Sequence, residues 1–320
     1  MAILPPDPAY LLRSDMGPVH SLLFRVSPYI EHIYAGTESG KIHIWDLKRN
    51  RETSRLTASD DQCLSLNFFG DERLVAQRKG GALNIWNANG SNWILDKTFE
   101  TQATSFCKSK VLSEDILLVP LKNSSIGLFS QTTTEVEQEL NPEKLPECET
   151  KQVGGLMAVK PLTQDKTLIL AAYESGDIAL WDLKMKNILS WLKVAPCPFT
   201  IDYDETLKLG VLGSSTDKLE VIDIKNNLTL NLKTVLTIKN EGTGVLASRP
   251  DSRVFTSGGW DGRLRIFSWR SLRPLAVLDQ HRGSIYDIAY SGCKVEAYSS
   301  KGLMAAAGKD GVVSLWDLYN

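Results

Sequence analysis

The chain has 320 residues, and few of them could do chemistry. Asp46, Asp182 and Asp317 each follow a tryptophan, and three gathered carboxylates would suit a divalent cation or general acid–base work. Cys63, Cys107, Cys148, Cys197 and Cys293 read as reduced, mostly structural thiols, and His20, His32, His43 and His281 are the histidines a zinc site would draw on. No cysteine pair is spaced as CxxC, and the histidines are too few and too scattered for a zinc site. HExxH, GxSxG, a phosphate-cradling Walker loop and a GxGxxG opening a helix are all missing. The three aspartates have a simpler explanation: each closes the same recurring segment, so they read as strand-end residues.

That segment is a small-residue strand, a glycine turn, then an apolar strand ending in an aromatic residue and often Asp. It runs from Tyr34-Ala35-Gly36 through Gly40 to Ile44-Trp45-Asp46-Leu47. It returns from Ala172-Tyr173-Glu174-Ser175-Gly176 to Leu180-Trp181-Asp182-Leu183, and from Ala307-Gly308-Lys309-Asp310-Gly311 to Leu315-Trp316-Asp317-Leu318. Weaker copies end at Trp86, Phe129, Ile222 and Phe267. The anchors Trp45, Trp86, Phe129, Trp181, Ile222, Phe267 and Trp316 are thus 41, 43, 52, 41, 45 and 49 residues apart. Five before each stand Gly40, Gly81, Ser124, Gly176, Asp217, Gly262 and Gly311, mostly the residue that tolerates positive φ in a tight turn. Ile42 and Ile44 alternate with Lys41 and His43, and Leu264 and Ile266 with Arg263 and Arg265, which is strand period.

A blade of about 40–45 residues that cannot bury its faces alone predicts a radial array. The expected fold is all-β, a seven-bladed WD40-type β-propeller forming one domain over residues 1–320. Trp316 lies too close to the end for the last blade to have its own outer strand. Ala9-Tyr10-Leu11-Leu12-Arg13 is expected to supply it, behind a proline-rich tail over residues 1–8. Turn aspartates are plain only at Asp261 and Asp310, with Asp217 one position late; His20 and His281 are their expected histidine partners in a polar network.

Composition sets further bounds. A net charge of −2 gives no general attraction to nucleic acid or anionic membrane. Scattered thiols, no apolar run long enough to span a bilayer and no signal-like N-terminus lead to an expected location in nucleus and cytoplasm. No cofactor or metal is expected.

Two stretches depart from the repeat. Residues 131–154 hold Glu135, Glu137, Glu139, Glu143, Glu147 and Glu149 with Pro142 and Pro146. They read as the outer strand of blade 3, over residues 132–140, followed by an acidic loop: a solvated variable connection or a docking site for a basic partner. Blade 6 is richer, with Trp260-Asp261-Gly262-Arg263-Leu264-Arg265 followed by Trp269-Arg270. Trp and Arg are the residues most enriched at binding hot spots. Trp260, Arg263, Arg265, Trp269 and Arg270 are therefore candidate protein contacts, with Glu174 and Lys309 at equivalent turns; Glu38 and Lys79 hold the same turn position. The competing reading packs Trp260 over its own blade and Trp269 into a gap between blades.

Some stretches go beyond generic repeat signal: Pro5-Pro6-Asp7-Pro8 before Leu11-Leu12-Arg13, Pro18-Val19-His20, Gly259-Trp260-Asp261, Trp269-Arg270, and Pro274-Leu275-Ala276-Val277-Leu278 before His281. In these the chain resembles the G-protein-β-subunit-like protein 1, or ASTRA-associated protein 1, family. The resemblance implies a non-catalytic scaffold working with a HEAT-repeat trimeric cochaperone and RuvB-like AAA+ ATPases. That machinery matures phosphatidylinositol-3-kinase-related kinases, and the ASTRA assembly is linked to chromatin. A G-protein γ subunit is not expected as partner, because Pro5, Pro6 and Pro8 exclude the long N-terminal helix that pairs with one.

Two other readings compete. Substrate receptors of cullin-type ubiquitin ligases often carry WDxR at a blade end. Trp45-Asp46-Leu47-Lys48 and Trp181-Asp182-Leu183-Lys184 come close but end in Lys, which lacks the planar fork of Arg. An enzyme of unrecognised type is the third.

Overall fold

A computed structural model describes residues 6–70, 72–90, 92–145, 152–162, 164 and 167–318. Its regular elements are strands and short 3-10 turns. Seven four-stranded antiparallel sheets follow one another, as a seven-bladed WD40-type β-propeller requires. Blades 1 to 6 span residues 19–56, 63–100, 110–140, 156–193, 200–237 and 243–278. Blade 7 takes three strands from residues 285–316 and its outer strand from Tyr10–Leu12. That strand pairs antiparallel with Val313–Trp316, Leu11 facing Ser314, and Ala9 N–H donates to Leu315 C=O at 2.7 Å. The expected clasp is therefore present.

All seven anchors are buried. They also occupy one backbone feature. In blades 1 to 6 the third and fourth strands lose register between the anchor and the residue before it, as at Ile44/Trp45, Leu128/Phe129 and Ile266/Phe267. The bulge leaves one outer-strand residue over and increases local twist beside the largest core side chain. Blade 7 has no such shift, because the clasp strand faces residues 313–315 and stops short of Trp316.

Six of the seven turn positions take positive φ, Ser124 at 59° among them. A β-carbon on Gly262 would fall 2.7 Å from the carbonyl oxygen of His281, so this turn needs glycine for space as well as for φ. Blade 5 alone departs: Asp217 is not among the positive-φ residues, and its turn runs through Ser214, whose hydroxyl lies 2.9 Å from that of Thr216.

The chain packs as two compact units. One comprises residues 67–238. In it Trp181, Tyr173, Ile169 and Leu118 share a core, and the Trp181 indole N–H donates to the Tyr173 hydroxyl at 3.1 Å. The other joins residues 1–66 to 239–320. Its core draws on Leu12, Val19, Ile33 and Trp45 from one end of the sequence and Val295, Leu303, Ala305 and Leu315 from the other.

The expected outer strand of blade 3 starts later than residue 132. Ser130 N–H donates to Glu135 C=O, Thr134 sits at φ 57° in the intervening turn, and the strand is Val136–Leu140. Asn141 then caps a 3-10 turn over Pro142–Lys144, its side chain accepting from Glu143 N–H at 2.8 Å. Pro146, Glu147 and Glu149 lie outside the described residues, as do residues 1–5 of the proline-rich tail.

Candidate functional site

Each sheet has two ends. In an antiparallel blade, the turn between strands two and three and the connection leaving strand four emerge together. In blades 6 and 7 that end carries Trp260, Arg263, Arg282 and Lys309, all exposed.

Trp260 is seated by glycine. Its N–H donates to Gly242 C=O at 3.0 Å, and its carbonyl accepts from the Ser284 hydroxyl at 3.1 Å. The indole lies against Gly242, where an added β-carbon would sit 2.3 Å from the ring, and its Nε1 would be 3.4 Å from one on Gly244. The ring is nonetheless 44% exposed. Trp260 thus packs on its own blade, as one of the two readings has it, and still presents a large apolar face. Such a preordered aromatic contributes contact area at low entropic cost on binding.

Below it lies a charge network. Arg265 grips Asp261 with both arms, at 3.1 and 2.6 Å, and the Asn240 amide donates to the same carboxylate at 2.7 Å. Burial opposes ionisation of Asp261. The hydrogen bonds from Arg265, Asn240 and Arg263 N–H outweigh it and hold the carboxyl down at about 2. In blade 7 the matching positions carry His281 Nδ1 at 3.1 Å from Asp310, its Nε2 at 2.7 Å from Ser314 Oγ, and Trp316 Nε1 donating to that hydroxyl at 2.8 Å. Arg265 therefore stands where blade 7 has Ser314, and Asn240 takes the histidine's part.

Several expectations are corrected here. Arg265 is buried and spent on Asp261, so its cation positions the turn and is not offered to a partner. Trp269 is 1% exposed and packs on Phe255, ring centroids 4.4 Å apart. It fills the opposite end of blade 6. Arg270 is exposed at that same far end, separated from Arg263 by the strand Leu264–Ser268, roughly 17 Å at 3.3 Å per residue. The blade 6 candidates thus divide between two faces. Glu174 belongs to the unit of residues 67–238, where its carboxylate accepts from Gly155 N–H at 3.1 Å. His20 does not complete a polar network of the His281 kind; it stacks on Tyr286 at 4.3 Å with its Nδ1 2.7 Å from the Gln62 amide. Arg282 escaped the sequence reading, although its place directly after His281, within the connection from blade 6 to blade 7, was the available signal.

Among the described residues no three His, Cys, Asp or Glu side chains gather in a group able to hold a metal ion. An exposed indole at the same end of the blades as the exposed Arg263, Arg282 and Lys309 is suited to binding.

Comparison with known proteins agrees with this description. The WD domain, G-beta repeat family matches residues 233–268 and 272–317, each running from the outer strand of one blade through the first three strands of the next, in blades 5 to 7. Guanine nucleotide-binding protein subunit beta-like protein 1 of Mus musculus is 28% identical, covering 98% of this chain and 97% of that protein. ASTRA-associated protein 1 of Schizosaccharomyces pombe is 24% identical over 98% of this chain and 99% of its own length. The protein of the same name from Verticillium alfalfae is 24% identical over 98% of this chain and 93% of its own.

Proposed function

We propose that this WD40-repeat chain is a non-catalytic, ASTRA-type scaffold. It presents protein surfaces to the cochaperone machinery that matures phosphatidylinositol-3-kinase-related kinases, namely a HEAT-repeat trimeric cochaperone and RuvB-like ATPases. The observation that carries this reading is the near full-length similarity to proteins named ASTRA-associated protein 1, which covers 98% of this chain. The rigid Trp260 with Arg263 and Lys309 is the surface it would use, in nucleus and cytoplasm. Affinity purification of the tagged chain from its own cells, with mass spectrometry, tests it. RuvB-like ATPases, HEAT-repeat cochaperones and large kinases of that class are expected in the eluate. A cullin and its adaptor without them would replace this reading with a ubiquitin-ligase substrate receptor.

A further inference from the structure

A second exposed aromatic lies in the unit of residues 67–238. The connection over residues 101–109, from the outer strand of blade 2 to the short inner strand Lys110–Val111, carries Phe106 at 65% exposure. The segment is not loose. Thr101 Oγ donates to Gly81 C=O at 2.8 Å, Ser105 Oγ to Leu156 C=O at 2.9 Å, and Gln77 Nε2 to Cys107 C=O at 2.9 Å. Cys107 beside it is fully buried. Pinned on both sides, the backbone holds the Phe106 ring out in solvent, where apolar surface is costly.

The ring borders a cleft of about 620 Å³ whose apolar walls include Leu121, Met157 and Phe199. Two cations stand near the Phe106 side of the cleft. The Lys79 ammonium sits 5.1 Å from the Phe106 centroid and Lys122 stands exposed on the blade 3 turn, neither with a carboxylate partner among the described residues. Glu174 also lines the cleft, its carboxylate accepting from Gly155 N–H, so an acidic segment would have to place its charges on the side of the lysines.

We infer that this cleft docks an acidic linear segment of a partner protein carrying one bulky apolar side chain. The apolar residue would enter against Phe106 and the walls, gaining roughly 25 cal/mol per Å² removed from water. Flanking Asp and Glu would meet Lys79 and Lys122, which sets orientation and speeds encounter. A single strand of nucleic acid also uses aromatics and lysines, but the apolar walls formed by Leu121, Met157 and Phe199 favour an apolar side chain of a peptide.

The test is selection of a phage-displayed random peptide library on the full-length chain, followed by fluorescence polarisation of the winning peptides. Winners should carry Asp and Glu around Phe, Leu or Trp and weaken with added salt. Phe106→Ala should weaken them at least about tenfold, about 1.4 kcal/mol, and the double variant Lys79→Glu/Lys122→Glu by a similar factor. All three sites are exposed, so melting temperature should stay near that of the parent; were Phe106→Ala to misfold, Lys122→Glu alone should still give a severalfold loss. The inference is overturned by no enrichment, by basic or neutral winners, by binding indifferent to these variants, or by an oligothymidylate strand binding more tightly than the peptides through Phe106.

Discussion

Trp260 depends on Gly242, whose φ of +87° and missing side chain both make room for the indole. Trp260→Ala should leave thermal unfolding within about 1 kcal/mol of the parent, since the ring is half in solvent, while partner recovery falls. A large drop in melting temperature would make Trp260 a packing residue instead. Gly242→Ala should lose partner recovery as well, because the new methyl evicts the ring, and should also cost stability through strained φ. Full recovery with Gly242→Ala would mean that ring orientation does not matter to binding. Beneath the ring, the depressed Asp261 carboxyl makes a pH prediction. Its contribution to stability is complete above the ordinary carboxylate pKa near 4 and is lost as pH falls through its folded value of about 2. Asp261→Asn should be less stable by roughly 2 kcal/mol at neutral pH, the size of hydrogen bonds to a charged group. The gap should close between pH 4 and pH 2. Parallel acid unfolding of the two proteins across that window would contradict the assignment.

At the scale of the blade, blade 7 has the complete polar network and the borrowed outer strand. His281 and Ser314 are buried, and the network ties the turn at Asp310 to the anchor Trp316. His281→Ala leaves buried partners without a donor, so a loss of about 1–3 kcal/mol is expected, read as a lower midpoint in urea. Trp45 and Trp86 show what an incomplete network leaves: their indole N–H groups are buried with no hydrogen-bond partner in the described structure. The repeat was legible because each blade must solve the same burial problem, which fixes anchor and turn at one spacing. The bulge before each anchor was not, because it depends on how the next strand pairs, and no residue type marks it.

At the scale of the whole molecule, one compact unit joins the two ends of the sequence. Leu12 is fully buried among residues from both ends. Asp287 accepts from Leu22 N–H at 2.7 Å, and Glu31 accepts from Glu296 N–H at 2.7 Å and Ala297 N–H at 3.1 Å. These contacts span some 265 residues of sequence, so their closure entropy is met late in folding. Deleting residues 1–14 should therefore remove hydrogen-exchange protection from blades 1 and 7 together and lower the melting temperature. Leu12→Ala alone should cost about 2–5 kcal/mol. Protection lost only at Val313–Trp316 would make the clasp a local ornament.

By itself, the amino-acid sequence determined the strand period, the seven anchors, six of the seven turn positions and the borrowed strand, because these follow from local geometry repeated at one spacing. It also brought Trp260 and its charged neighbours forward. Only the tertiary structure decided which of them face outward. Arg265 and Trp269 have the composition of an interface, yet one is consumed by Asp261 and the other by Phe255. Phe106 has no distinguishing sequence context, yet its pinned neighbours leave it in solvent. Exposure is a property of what surrounds a side chain, and the surroundings come from residues tens to hundreds of positions away.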